Sequence, residues 1–312
     1  MTGIAYRRRT MDSISQVLGN RYDFLLLFDV QDGNPNGDPD AGNSPRLDPE
    51  SLHGLVTDVS IKRRIRNWVG LNFGGRPPNA IYVAEGMVLN DAHDKAWRSA
   101  DGVAQEPPKN RASVTREQVE RARSWMCRSY WDVRAFGAVM NTESPAGQVR
   151  GPIQLTFARS VEPVVQSEFT IGRVAVTNRR DARKERTFGR KSLIPYGLFL
   201  MRGFVNPSLA LDTGFTEDDL RTLKYSLINM FEVDRSAARG MMTTRALYAF
   251  RHRHMLGDAS AAELFSRVRV KRRTAEGAAR SFSDYELSVD DSDLPPGVSL
   301  ENWMRTESDP RA

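Results

Sequence analysis

A single α/β or α+β domain with loop insertions is the fold that this sequence predicts, and three observations predict it. An apolar run from Phe24 to Val30 suits a central strand buried on both faces. Segments with helical spacing follow capping residues, and strand-like stretches alternate with them. No repeat period runs through the chain, and 312 residues with 40% hydrophobic side chains can bury a full core.

Residues 1–20 read as a flexible extension; Met11 lies just ahead of the first strand, so residues 1–10 are optional. They carry a basic patch without the apolar stretch of a signal peptide, and no later segment reaches 18 apolar residues. A soluble, cytoplasmic protein without a membrane is expected. After the first strand comes GNPNGDPDAGNSPR, residues 33–46, with three glycines, three prolines and three asparagines. A turn, a phosphate cradle, a metal loop and a flexible finger all fit that composition.

Thr57 can cap a helix with Asp58 in its first turn, and Ile61, Ile65, Trp68 and Val69 form its apolar stripe. Arg63 then faces solvent. Lys62 and Arg66 flank the stripe as a row of cations beside the core, or as an ordinary solvated face. Residues 74–112 are broken by Gly and Pro and read as a loop-rich excursion. Thr115 and Gln118 have capping-box spacing, followed by Val119, Ala122, Met126 and Tyr130 on one face. In 152–159 Ile153, Leu155 and Phe157 alternate with Gln154, Thr156 and Ala158, as in a half-buried strand.

Residues 178–191 hold seven cations and two acids between two strand-like stretches, so a long hairpin with a basic tip is expected. Thr216 opens a further helix with Leu220, Leu223, Leu227 and Phe231 inward, and Ser260 with Glu263 heads a short one with Phe265 and Val268 packed. RSFSDYELSVD reads as the last strand and residues 291–312 as an acidic tail.

Charge and chemistry narrow the function. The chain has 45 basic and 39 acidic residues; without the eight acids and two arginines of residues 281–312, 43 face 31, a net +12. Such a body suits a polyanionic partner, with charge for solubility as the plain alternative. Cys127 excludes an internal disulfide and reads as a small core residue. His252 and His254 lack further ligands in zinc spacing, and nucleophile-elbow, GxxxxGK and GxGxxG patterns are absent. Asp32, Asp38 and Asp40 can serve either turn chemistry or a divalent ion. No cofactor and no catalytic residue is expected.

The stretch GNPNGDPDAGNSPRLDPESLHGLVTDVSIKRRIRNWV, with DVRAFGAVM (132–140), GPIQLTFARS (151–160), PYGLFL (195–200) and FEVDRSAARGMM (231–242), resembles the Cas seven (Csd two) backbone subunit of the type I-C CRISPR surveillance complex, Cascade. The resemblance runs over roughly residues 20–290. It implies an α+β right-hand fold: an RRM-like (ferredoxin-like) palm, fingers at about 74–112 and a thumb β-hairpin at about 165–192. It implies crRNA, a target DNA strand and further copies of itself as partners, with the Cas five, Cas eight and small (Cas eleven) subunits and a recruited Cas three helicase-nuclease. Arg46, Thr57, Lys62, Arg63 and Arg66 are similar to the segment that grips guide phosphates, with Asn34, Asn36 and Gln154 beside them as RNA-binding candidates. Arg179, Arg180, Arg183, Lys184 and Arg190 are implied as thumb contacts, Ser236 and Arg239 as a polar loop near the RNA, and Arg134 as a contact or a palm salt bridge. Related type III subunits cut RNA with a first-loop aspartate, and a stand-alone single-strand binder remains the third reading.

Overall fold

A computed structural model of the chain describes residues 16–108, 113–173, 175, 187–274 and 276–305. The first half runs β1 (Tyr22–Gly33), β2 (Gly37–Asp38), β3 (Ser44–Pro45), β4 (His53–Val56), α1 (Asp58–Phe73), α2 (Leu89–Arg98), α3 (Arg116–Ser129), α4 (Trp131–Phe136), β5 (Gly137–Met140) and β6 (Gly147–Arg150). The second runs β7 (Ile153–Leu155), β8 (Ala158–Pro163), β9 (Ser167–Arg173), β10 (Thr187–Val205), α5 (Pro207–Thr213), α6 (Glu217–Val233), β11 (Met241–His252), α7 (Ala261–Ser266), β12 (Val268–Arg272), β13 (Tyr285–Val289) and β14 (Val298–Asn302).

The large sheet has the order β14-β11-β1-β10-β8-β4, and β7 and β9 pair with other stretches of β10. Its neighbouring strands are antiparallel. Phe24, Leu26, Phe28 and Val30 of β1 meet Ile61, Ile65, Trp68 and Val69 of α1 and Leu223, Leu227 and Phe231 of α6. Leu25 packs instead with Phe250, Leu264, Phe265 and Val268, and Leu27 with Tyr196, Leu198 and Tyr285. Helices therefore cover one face, and α7 with the β12–β13 hairpin covers the other, which is why β1 is apolar at successive positions.

A second core sits outside this sheet, where α2, α3 and β5–β6 surround Ala92, Trp97, Ala122, Met126, Tyr130 and Val149. The capping box of α3 forms as expected from Thr115 and Gln118. The loop reading of residues 74–112 is corrected at α2, which buries Ala92, His93, Ala96 and Trp97 on one side. Its N-cap is Val88, which makes no side-chain cap bond, so the usual start signal is missing.

The alternation expected for 152–159 also breaks. β7 ends at Leu155 and β8 begins at Ala158; across that break the phase flips, so Ala158 is buried and Phe157 is 54% exposed. An irregularity of this kind exchanges the two faces of a strand with period two. Ser260 caps α7 by position without a side-chain bond, and Val268 opens β12 rather than packing from the helix.

β10 is long enough to serve two partners: Thr187–Leu193 pair with β9, and Ile194–Val205 run along β1. The expected hairpin is thus present in its stem, while Arg179, Arg180, Arg183 and Lys184 lie outside the described residues.

Both ends depart from the sequence reading. Leu18 is fully buried and its N–H donates to the Phe215 carbonyl at 3.0 Å, so packing begins ahead of residue 20. RSFSDYELSVD supplies β13, but β14 follows and pairs with β11. Trp303 is 1% exposed, with ring centroids 5.8 Å from Tyr22 and 5.6 Å from Phe24. The described part of the acidic tail is a sheet edge and a core tryptophan, because apolar positions between the acids outweigh the charge.

Candidate nucleic-acid interface

β1 delivers the chain into a loop that lies backbone to backbone against residues 236–240. Asn34 N–H donates to the Ala238 carbonyl at 2.8 Å. A Cβ at Gly33 would stand 1.9 Å from the Arg239 carbonyl oxygen, and one at Gly240, where φ is 60°, 2.3 Å from that of Gln31. Only glycine admits so close an approach.

Asn34 and Asn36 act within this loop. Asn34 is 7% exposed; its Nδ2 donates to the Asn43 carbonyl at 2.7 Å and its Oδ1 accepts from Asn36 N–H at 3.2 Å. Asn36 Oδ1 accepts from both N–H and Oγ1 of Thr57 at 2.9 Å. Thr57 Oγ1 also caps α1 by accepting from Ser60 N–H. Arg46 meets Asp38 at 3.1 Å, and Asp38 also accepts from Asp40 N–H, which is turn chemistry.

The cations expected on α1 stand where the spacing puts them, each beside an acid. Lys62 pairs with Asp58 at 2.9 Å and Arg66 with Asp132 at 2.8 Å, and both stand over the Phe136 ring. Asp132 further accepts from the N–H groups of Tyr82 and Val83, so Arg66 ties the second core to α1. Arg63 is the most exposed of the three, its side chain 58% exposed beside Glu85.

Arg64, which sequence reasoning passed over, is the centre of the region. It is 3% exposed and lies on the inner side of α1. Its Nη2 donates to the Pro35 carbonyl at 2.7 Å and its Nη1 to the Ser60 carbonyl at 3.1 Å. Its Nε stands 2.9 Å from Asp234 Oδ2, a charge contact without hydrogen-bond alignment. Burial pulls its guanidinium down to about 10, which still leaves it charged near neutrality. Asp234 also holds Arg239, and Ser236 Oγ accepts from Arg239 N–H at 3.3 Å. Lys191 of the β10 stem donates to the Ala237 carbonyl. First loop, helix start, 234–240 loop and hairpin stem are thereby joined. A lone arginine in a run of four cations carries no mark of burial in sequence; its spacing from Ile61 and Trp68, three before and four after, was the available signal.

Two expected sites lie elsewhere. Arg134 is 6% exposed, bonded to both carboxylate oxygens of Asp219 at 2.9 and 2.7 Å and to the Pro78 carbonyl at 2.6 Å. It is the salt bridge and not a surface contact, since its fork is consumed inside the protein. Gln154 is exposed on β7 and turns back to the Gly151 carbonyl at 3.0 Å. Arg190 is exposed on the hairpin stem opposite Thr170.

The remaining chemistry is plain. Cys127 is buried, and burial pushes its thiol up to about 11. His252 is fully buried with Nε2 3.1 Å from Asp23, and His254 bonds Asp258. Among the described residues, no group of three His, Cys, Asp or Glu is placed to hold a metal ion, and no helix is long and apolar enough to cross a membrane.

The family profile for CRISPR-associated protein Cas7 matches residues 20–290. This chain belongs to the Cas7 family. A curated CRISPR-associated protein Cas7 of Haloferax volcanii is 26% identical to this Cas7-family chain over 221 residues, or 65% of this chain. The match spans 62% of that relative, less than two thirds of its length. Among solved structures, a chain of a CRISPR RNA-guided surveillance complex in a pre-nicking state aligns at TM-score 0.48 and 14% identity, over 74% of this chain and 78% of that one. A chain of the Type III-B Cmr-beta complex bound to cognate target RNA aligns at TM-score 0.38 and 9% identity, over 74% and 61%. Both alignments fall below a TM-score of 0.5.

Among the described residues, two kinds of arginine and lysine pair bear on this region of the Cas7-family chain. Arg64, Arg66 and Arg134 meet buried carboxylates, where removing a partner is costly, and Lys62 with Asp58 is a half-buried pair. Arg63 with Glu85 and Arg235 with Glu232 are exposed on both sides. Exposed pairs contribute little and exchange partners readily, so these arginines can take a phosphate instead.

Proposed function

We propose that this Cas7-family chain is a non-catalytic backbone subunit that binds a guide RNA and stacks head to tail along it in a type I-C (Csd two) CRISPR surveillance complex. The observation that carries the reading is the junction of first loop, α1, 234–240 loop and hairpin stem, with Arg235 and Arg239 in its 234–240 loop, Arg63 exposed on α1 and Arg190 exposed on the stem. Arginine suits such a surface because its planar fork bridges phosphate oxygens without reading bases. Five single-strand phosphate contacts would give a log–log salt slope near −3.5, at roughly −0.7 per contact.

The architecture supports this reading. The order β11-β1-β10-β8, with α1 between β1 and β8 and α6 between β10 and β11, is the βαββαβ order of an RRM-like, ferredoxin-like palm. The second core serves as fingers and the β9–β10 hairpin as the thumb. Partners in this reading are crRNA, the target DNA strand, other copies of the chain, the Cas five, Cas eight and small Cas eleven subunits, and a recruited Cas three helicase-nuclease, all in the cytoplasm.

The test is co-expression with a CRISPR array and its neighbouring genes, purification through this subunit, sequencing of bound RNA and measurement of particle mass. One discrete repeat–spacer RNA in a multi-copy particle is expected, weakened by Arg63→Glu with Arg235→Glu. Random RNA on a single copy would defeat the proposal.

One observation favours a second reading, cleavage of target RNA. Asp32 is exposed at the junction with φ at 48°, a left-handed backbone that is common at functional turns. Mg2+-dependent cutting by the assembled complex, lost in Asp32→Ala, would replace the non-catalytic role.

A further inference from the structure

The opposite face of the sheet, away from α1 and α6, carries a cleft of its own. It is open, about 270 Å³ in volume, and lined by Arg245, Arg273, Tyr248, Phe282, Tyr285 and Asn302 among others. Two strands of the large sheet, β11 and β14, and the β12–β13 hairpin contribute these residues. None belongs to the junction described above.

Each arginine is held by one edge. Arg245 Nε donates to Asp29 Oδ2 at 2.8 Å, and Asp29, only 2% exposed, also accepts from the Tyr196 hydroxyl at 3.0 Å. The Arg245 guanidinium lies 5.8 Å from the centroid of the Phe282 ring. Arg273 Nε donates to the carbonyls of Ser283 and Tyr285 at 3.0 and 3.1 Å. With Nε committed to the protein, the terminal nitrogens are the donors each offers to the cleft, a fork matched to phosphate. Asn302 accepts from Met304 N–H through Oδ1, which leaves its amide donor. Residues 267–293, which include the β12–β13 hairpin, hold six cations and six acids, so the attraction for an anion is local to the Arg245 and Arg273 forks rather than a field of the whole hairpin.

We infer that this cleft is a binding site for a single nucleotide, its phosphate on Arg245 and Arg273 and its base against Phe282 and Tyr248. The guanidinium pair alone would take any small anion; the aromatic wall adds selectivity for a planar ring, since a base stacks on an aromatic side chain. The nucleotide is either free or one unit of a strand, with the same chemistry.

Calorimetry on the purified full chain tests this with 5′-AMP, adenosine, inorganic phosphate and a short RNA as probes. Saturable AMP binding is expected, with adenosine and phosphate each weaker by about tenfold or more, the loss of one charged or stacked contact. Phe282→Ala and Arg273→Glu should abolish AMP binding. Arg63→Glu, at the other site, should leave it unchanged, so failure here is separable from failure of the guide-RNA reading. RNA that competes with AMP identifies a strand unit as the source; lack of competition identifies a free nucleotide. Arg273→Lys, which keeps the charge and loses the fork, guards against a folding artefact and should weaken AMP binding with an unchanged melting temperature. Absence of AMP binding at millimolar concentration, or phosphate binding as tight as AMP, would overturn the inference.

Discussion

Replacing Arg64 by Met keeps the length of the side chain and removes its charge and its donors. Asp234, with a side chain 6% exposed, loses one of its two cations and keeps Arg239. The Pro35 carbonyl loses its donor. Breaking a buried ion pair from one side costs about 3–5 kcal/mol. Because Arg239 still compensates Asp234, the lower end applies, about 3 kcal/mol, or about 6–12 °C in melting temperature at roughly 2–4 °C per kcal/mol. Urea unfolding measures the total, and hydrogen exchange at the Asn34 amide reads the junction itself, since that N–H is bonded to Ala238. Asp234→Asn in the Arg64→Met background should cost less than the sum of the two single changes, with a coupling of about 1–3 kcal/mol. A loss under about 1 kcal/mol, additive changes, or unaltered Asn34 protection would refute the view of Arg64 as the clamp between the two loops.

Four further outcomes are expected. Gly33→Ala should separate the first loop from residues 236–240, because its Cβ would meet the Arg239 carbonyl oxygen at 1.9 Å; unchanged RNA binding and melting would contradict the close approach. Trp303→Ala should cost about 3–5 kcal/mol by emptying a core position, measured by thermal melting, whereas a dispensable tail would show no change. Arg63→Glu should flatten the salt dependence of RNA binding by about 0.7 in log–log slope, and Arg134→Lys should instead lower stability with the slope intact. His93, fully buried between the Tyr82 hydroxyl and Thr142 Oγ1 at 2.8 Å each, has its pKa lowered from 6.5 by burial. The unfolded chain therefore takes up a proton first, so this contribution is present above about pH 6.5 and fades as pH falls below it; melting curves between pH 5 and 7.5 should steepen less with pH in His93→Gln.

Much of the molecule was legible because it is local. Thr57, Thr115 and Thr216 cap their helices as their spacing to the next turn demands, and the stripes of α1 and α6 face the sheet. The apolar run of β1 foretold burial on both faces. These features depend on neighbours within about one helical turn or one strand pair, which sequence displays. α2 escaped because its cap is unmarked, and Phe157 turned outward because a break between two strands inverts the phase.

What the sequence by itself determined is the alternation of strands and helices, the basic body and the glycine-rich entry to a loop. Which cations are available only tertiary structure decided. Arg63 and Arg64 are adjacent and chemically identical, yet one meets water and the other a carboxylate 170 residues away in the chain, because a helix turns consecutive side chains about 100° apart. A charge acquires its role from the face it is given and from the distant acid that folding places opposite it.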